Sequence, residues 1–337
     1  MNSIDEKDFK KVWDVIKTNK SFLLTAHINI DADALCSLLA LAYPLTKFKK
    51  NYNIVLAESL PSKLDFIIKK HYKIIIPEFI YVPESVDLLT QLKENYFPDV
   101  IIIVDCGGKE RLGNFSKHFN KAKTILNIDH HPGNRHIESS LNLIDTNASA
   151  TSEIIYELFR INNFEITKEI AELLYTGICV DTRFFTQANT TAKTLKIAAD
   201  LIEKGAEPEN IANNLQLTSF NTLKVFGKIL NRLEKDFNGK LVYSFVTNEE
   251  LKECNNNIEG AVELLRNIDT AVVSLLFKEL DKNKIKISMR GKNNFNVLEI
   301  AYKFNGGGHL QAAGCTINDT LKNAIKIILN EFKEKLS

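Results

Sequence analysis

At roughly 100 to 200 residues per domain, a chain of 337 residues points to two domains and excludes a small disulfide-stapled scaffold. Hydrophobic residues at 45% and charged residues at 25%, with 14 Gly and 7 Pro, exclude collagen-like and low-complexity sequence. The 43 Lys+Arg nearly balance 42 Asp+Glu, and a formal charge of +1 is too small to attract a long polyanion by counterion release, so no long duplex nucleic acid is expected as partner.

In chain order, Ser3 followed by Glu6 resembles a capping box, and Phe9, Val12, Trp13 and Ile16 recur at helical spacing, which predicts an opening amphipathic helix. Short apolar runs at 21–26, 53–57, 99–104 and 124–128 read as strands, separated by helical patterns such as 33–42 and 85–96. That alternation predicts a mainly parallel sheet covered by helices. From about 149 to 235 the patterns are helical, with 190–204 and 219–235 polar enough for a linker. Strands are then expected at 240–247, 269–279 and 283–290, a helix near 296–303, the run NGGGH, and a last helix from about 319. The expected fold class is α/β in two lobes: a catalytic domain over 1–196, a helical linker over 197–235, and a smaller mixed α/β domain over 236–337.

Three strands run straight into polar residues, at His27-Ile-Asn-Ile-Asp31-Ala-Asp33, at Asp105, and at Asp129-His130-His131. Ligands of open α/β sheets bind beyond the carboxyl ends of strands. An isolated Asp-x-Asp reads as a helix cap with a solvated acid. A preceding histidine and two further strand ends of similar chemistry favour metal ligands, and mixed imidazole and carboxylate donors suit Mn²⁺, Fe²⁺ or Zn²⁺. The five cysteines form no CxxC pair and no apolar run approaches a bilayer span, so a reduced, cytoplasmic protein away from membranes is expected.

HxNxDxD at 27–33, the strand-ending Asp105, DHH at 129–131 and Asp181 in GICVDT resemble the motifs of the DHH phosphoesterase family. The run Gly306-Gly307-Gly308-His309, followed by Ala312-Ala313-Gly314, is similar to the glycine-rich motif of the DHH-associated domain found in bacterial oligoribonucleases, PAP phosphatases and RecJ-type nucleases. The resemblance implies two divalent ions, Mn²⁺ foremost. His27, Asp31 and Asp105 would hold one, and Asp33, Asp105, His130 and Asp181 the other, with Asp33 and Asp105 central to catalysis and His131 facing substrate. Ile30, Ala32 and the stretch after Asp181 depart from the commoner pattern without removing a ligand.

For substrate, consecutive glycines let backbone N–H groups approach a phosphate, so Gly307, Gly308 and His309 are candidates, with Arg290 as a bidentate fork. Arg111 resembles a family position near the substrate. Asn147 and Ser149 precede a helical pattern that could hold an anion at its N-terminus. The resemblance implies hydrolysis of short 5′-phosphorylated oligonucleotides such as pApA, with pAp phosphatase as a side activity. Alternatives are a cyclic di-AMP phosphodiesterase and a nucleotide-sensing protein with structural metals; a homodimer is left open.

Overall fold

The structure, a computed structural model, describes residues 4–71, 78–81, 98–131, 137, 141–258 and 260–336. It divides into two compact units, Met1–Gln216 and Leu217–Ser337.

The first unit carries a six-stranded sheet: β1 (Ser21–Ala26), β2 (Asn51–Leu56), β3 (Glu78–Tyr81), β4 (Val100–Val104), β5 (Thr124–Asp129) and β6 (Leu141–Ile144). Every pair is parallel, in the order β3-β2-β1-β4-β5-β6. Parallel strands need crossovers, which cover both faces and bury central strands on both sides. Strand alternation divides the apolar residues accordingly. Phe22, Leu24, Ile102, Val104, Leu126 and Ile128 join the larger core with α1 (Glu6–Thr18), α2 (Ala32–Lys47), α4 (Thr151–Ile161) and α5 (Lys168–Asp181). Leu23, Ile101, Ile103 and Ile125 face Leu112, Phe115 and Phe119 of the 3₁₀ segment Lys109–Lys121. A short α3 (Asp65–His71) completes the early helices.

The opening helix is present with the expected buried face, and Asp5 caps it by accepting from the Lys7 amide at 3.4 Å. Ser3 and the expected helix over 85–96 lie outside the described residues. The short strands β3 and β6 were not expected from the sequence. Each has only four residues, too few for a periodic signal to separate strand from loop.

The second unit is a mixed sheet of β7 (Glu234–Asp236), β8 (Leu241–Val246), β9 (Val273–Asp281), β10 (Lys284–Gly291), β11 (Gly307–His309) and β12 (Ala312–Ile317), ordered β11-β12-β10-β9-β8-β7. Only β8 and β9 pair in parallel. One face packs Ile285, Ile287 and Met289 against α11 (Leu298–Lys303) and α12 (Leu321–Leu336). On the other, Leu276 and Val246 meet α8 (Phe220–Asn231), α9 (Asn248–Glu253) and α10 (Ala261–Arg266).

The stretch 197–235, expected as a helical linker, is largely helical and its helices are divided between the two cores. Ile197 and Leu201 of α6 (Ala192–Glu203) and Ile211 of α7 (Pro208–Gln216) belong to the first, whereas Val225 and Ile229 of α8 belong to the second. No helix among the described residues is long and apolar enough to cross a membrane.

Candidate metal centre

Strand β1 lies between β2 and β4, so the chain leaves it toward one edge of the sheet and returns on its other side. This is the topological switch point where crevices open beyond strand ends. His27 follows β1, Asp105 follows β4 and His130 follows β5, while Asp31 and Asp33 open α2 and Asp181 closes α5. Their donor atoms meet. His27 Nε2 lies 3.4 Å from Asp105 Oδ2 and 3.8 Å from Asp31 Oδ2, and His130 Nε2 lies 3.5 Å from Asp105 Oδ1 and 3.0 Å from Asp181 Oδ2. Three sets result, each with donors within 4.8 Å of one another: His27, Asp31, Asp105; Asp33, Asp105, His130, Asp181; and Asp105, His130, His131. Asp105 is common to all three.

The backbone aims these groups. Asp105 has φ +54, a left-handed conformation that costs a non-glycine residue roughly 1 to 3 kcal/mol and that aspartate tolerates better than most. Nδ1 of His27 donates to the Ile28 carbonyl at 2.7 Å and Nδ1 of His130 to the Ala148 carbonyl at 3.4 Å, which leaves Nε2 of each as the donor to a cation. His131 Nδ1 is held by Asp129 at 2.8 Å. Asp129 is fully buried, and this orienting role was not read from the sequence.

Asp33 is also fully buried, and its carboxylate accepts from the amides of Thr151 at 2.7 Å and Ser152 at 3.1 Å, and from the Ser152 hydroxyl. Those amides begin α4, so the anion at this helix N-terminus is Asp33 itself. Thr151 Oγ1 adds a bond to Asp105 Oδ1 at 3.0 Å. The close approach depends on Gly177 inside α5, because a Cβ there would stand 2.4 Å from Asp33 Oδ1 and 2.1 Å from Ser152 Oγ. The sequence gives one signal for it, a glycine in the middle of a helical pattern.

Ser149, expected to meet substrate, is instead fully buried, with amide and hydroxyl both donated to Glu153 Oε2 at 3.2 and 2.8 Å. This corrects the expectation: a side chain spent on a buried carboxylate is not presented to a ligand. Asn147 is exposed, its amide bonded to Asp145 Oδ1 at 3.0 Å. Arg111 ties the loops after β1 and β4 together, its carbonyl accepting from the Ile28 amide at 2.7 Å.

The electrostatics favour a bound cation. Burial raises Asp33 well above the usual carboxylate range, with Asp181 and Asp105 adding to it. Burial opposes charge on Asp105 too, but the His130 and His27 imidazoles beside it outweigh burial and hold Asp105 well below that range. Burial also disfavours a proton on His130, yet Asp105 and Asp181 beside it push it up to about 11. The cluster therefore draws positive charge inward, a demand that a divalent ion meets by displacing protons. His130 Nε2 fits that role: it is buried, near two carboxylates, and makes no aligned hydrogen bond.

In the second unit, Arg290 on β10 donates from Nε to Glu263 Oε1 at 2.6 Å and from Nη1 to the Met289 carbonyl at 3.0 Å. Gly307, Gly308 and His309 form the edge strand β11 and are exposed. A concavity of about 620 Å³ opens beside them, lined by residues that include Lys286, Ser288, Phe304, Gly307, Gly314 and Thr316.

The profile of the DHH family, N-terminal domain, matches residues 21–178, and that of the DHHA1 domain matches residues 238–337. The chain belongs to the DHH family. That membership makes it a hydrolase of phosphate esters. It is similar to the bifunctional oligoribonuclease and PAP phosphatase NrnA of Bacillus subtilis, 30% identical over 307 residues that cover 88% of this chain and 89% of that protein. The protein of the same name from Thermus thermophilus is 30% identical over 214 residues, 63% of this chain and 65% of its own length. Among solved structures, an exopolyphosphatase-related protein from Bacteroides fragilis superposes with a TM-score of 0.83 at 23% identity, covering 100% of this chain and 99% of that one.

Proposed function

We propose that this DHH enzyme hydrolyses short 5′-phosphorylated oligonucleotides, pApA among them, to nucleoside 5′-monophosphates and also dephosphorylates pAp, with two divalent ions, preferably Mn²⁺. The observation that carries the reading is the sharing of Asp105 between His27–Asp31 on one side and Asp33–His130–Asp181 on the other. The mixed nitrogen and oxygen donors suit Mn²⁺ better than Mg²⁺. When bound, two such ions neutralise phosphoryl oxygens and supply a nucleophile at neutral pH.

The protein's own part is positional. Thr151 and Ser152 hold the Asp33 carboxylate, the Ile28 and Ala148 carbonyls orient the two imidazoles, and Asp129 turns His131 so that its Nε2 can address the scissile phosphate or the leaving oxygen. Arg290, His309 and the Gly307–Gly308 backbone are read as the grip on a phosphate that does not react. The similarity to NrnA of Bacillus subtilis over 88% of this chain supports this substrate class. All five cysteines are buried and free, which suits a reducing cytoplasm.

The test is purified protein with Mn²⁺ assayed against pApA, short RNA, pAp and cyclic di-AMP at matched concentrations. The expected order places pApA first. A ring has no terminal phosphate to grip, so a higher kcat/KM for cyclic di-AMP overturns the ordering, and binding without any hydrolysis overturns the enzymatic reading in favour of a sensor.

A further inference from the structure

On the face of the second sheet shared with α8–α10, strands β10, β12 and β11 have a layout that neither the glycine run nor Arg290 accounts for. Directly paired residues of antiparallel strands project to the same face. Across β10, β12 and β11 the rows are therefore Arg290–Ala312–His309, then Ser288–Gly314–Gly307, then Lys286–Thr316. The middle of this face is almost bare of side chains, and Lys286 stands at the end opposite Arg290 and His309.

Two features suggest that the bare floor serves a ligand. A Cβ at Gly306 would lie 2.2 Å from the Gly314 carbonyl oxygen, and one at Gly308, where φ is +137, would lie 2.4 Å from that of Ala312, so the fold itself requires glycine at both positions. A Cβ at Gly307 would meet nothing within 4 Å. The space it would enter belongs to the 620 Å³ concavity, which Lys286, Ser288, Thr316 and Asn318 also line. The second feature is charge. Arg290 already shares its charge with Glu263 at 2.6 Å, whereas Lys286 has no carboxylate within ion-pair reach among the described residues, and its cross-strand neighbour on β9 is Lys278, of the same sign.

We propose that Lys286, supported by Ser288 and Thr316, is a second phosphate subsite: a dinucleotide's terminal phosphate rests at Arg290 and His309, and in a chain one nucleotide longer the terminal phosphate moves one nucleoside further, to Lys286. The inference rests on the nucleotide reading above. Lys286 and Arg290 are four residues apart on one strand, about 13 Å at the backbone; Lys286 lines the concavity, and Arg290 stands at the other end paired with Glu263. A nucleoside laid on Gly307 and Gly314 would carry a phosphate toward each end. The site therefore favours chains with one phosphate more than a dinucleotide has.

Lys286→Ala is compared with wild type and with Lys326→Ala, an exposed lysine on α12 across the sheet. Two readouts are used: kcat/KM with Mn²⁺ for pApA and pApApA, and binding of pApApA in EDTA as a function of salt. Lys286→Ala is expected to lose roughly tenfold on pApApA, clearly more than on pApA, and to lower the log–log salt slope of binding by about 0.7, the value for one contact to a single strand. Lys326→Ala should do neither. Equal losses on both lengths, an unchanged salt slope, or the same effect from Lys326→Ala overturn the proposal. If no nucleotide is hydrolysed by wild type, the functional reading fails, while the binding arm still decides whether Lys286 holds a phosphate.

Discussion

The two units present their candidate functional groups in opposite ways. In the first, the groups around Asp105 are buried or half-buried, and four of them are fixed by neighbours: Asp33 by the start of α4, His27 and His130 by carbonyls, His131 by Asp129. In the second, the candidate groups are half-buried or exposed on an edge of the sheet, around glycines and small residues. A site that must hold like charges a few ångströms apart needs low water access and rigid partners. A site that must admit differing substrates needs room, and weaker, screened contacts suffice there.

The sharpest break in that contrast comes from Asp105→Asn. The substitution removes the charge common to all three donor sets while keeping the side chain's shape, so hydrolysis should fall by at least ~10³-fold with the fold retained. Turnover near wild type with Mn²⁺ would remove the two-ion reading. Metal analysis of His130→Ala should find one ion lost per chain.

Two glycine substitutions put the comparison on equal terms. Gly177→Ala introduces a better helix former, but its Cβ must displace Asp33 or Ser152. We expect a loss of roughly 10- to 100-fold in metal affinity or activity, the range found when groups behind metal ligands are disturbed. Gly307→Ala meets no atom of the protein within 4 Å and should leave Tm and metal content as they are while raising KM. Equal effects of the two on metal content would erase the distinction.

Arg290→Ala should cost about 10- to 150-fold in kcat/KM, the size of a lost charge-assisted hydrogen bond of about 1.5 to 3 kcal/mol, again without loss of metal. Its ion pair with Glu263 offers a control: if Glu263→Gln matches the loss, the pair positions Arg290, and if Glu263→Gln leaves kcat/KM alone, Arg290 acts by itself.

The smallest effect is a difference in acid response. Burial, helped by Lys70, brings His71 down to about 4. The unfolded chain then takes up that proton first, so the first unit loses stability as pH falls from about 6.5 toward 4. In the second unit the Arg232 hydrogen bonds bring Glu250 down to about 2, so its contribution is fully present above about 4.5 and is lost as pH falls toward 2. Trp13, the chain's one tryptophan, is buried in the first core and reports that unit by fluorescence. His71→Gln should flatten its pH dependence of stability between 6.5 and 4; an unchanged slope contradicts the assignment.

The α/β class, the opening helix, the central strands and their polar exits were legible in the sequence because each is a local pattern. Apolar alternation, strand length and ligand chemistry are written within a few consecutive residues, and His27, Asp31, Asp33, Asp105, His130 and His131 stand at such strand ends, whereas Asp181, inside a helical pattern, is singled out by the resemblance to the DHH family. The structure brings these seven side chains to one end of one sheet, and that gathering depends on the strand order around β1 and β4.

What only the tertiary structure decided depends on partners far apart in the chain. Ser149 and Thr151 look alike as residues near a helix start, yet one is consumed by Glu153 while the other binds Asp105, 46 residues away. Gly177 looks like a weak point in a helix until Asp33 and Ser152 are packed against it. Helices α6, α7 and α8 share one polar, amphipathic pattern but are divided between two cores, because an apolar stripe specifies that a face is buried and not against what. Sequence thus determined which chemistry the chain carries. Packing decided which carboxylate occupies a helix N-terminus and which glycine leaves its space open, since both depend on contacts that no local pattern encodes.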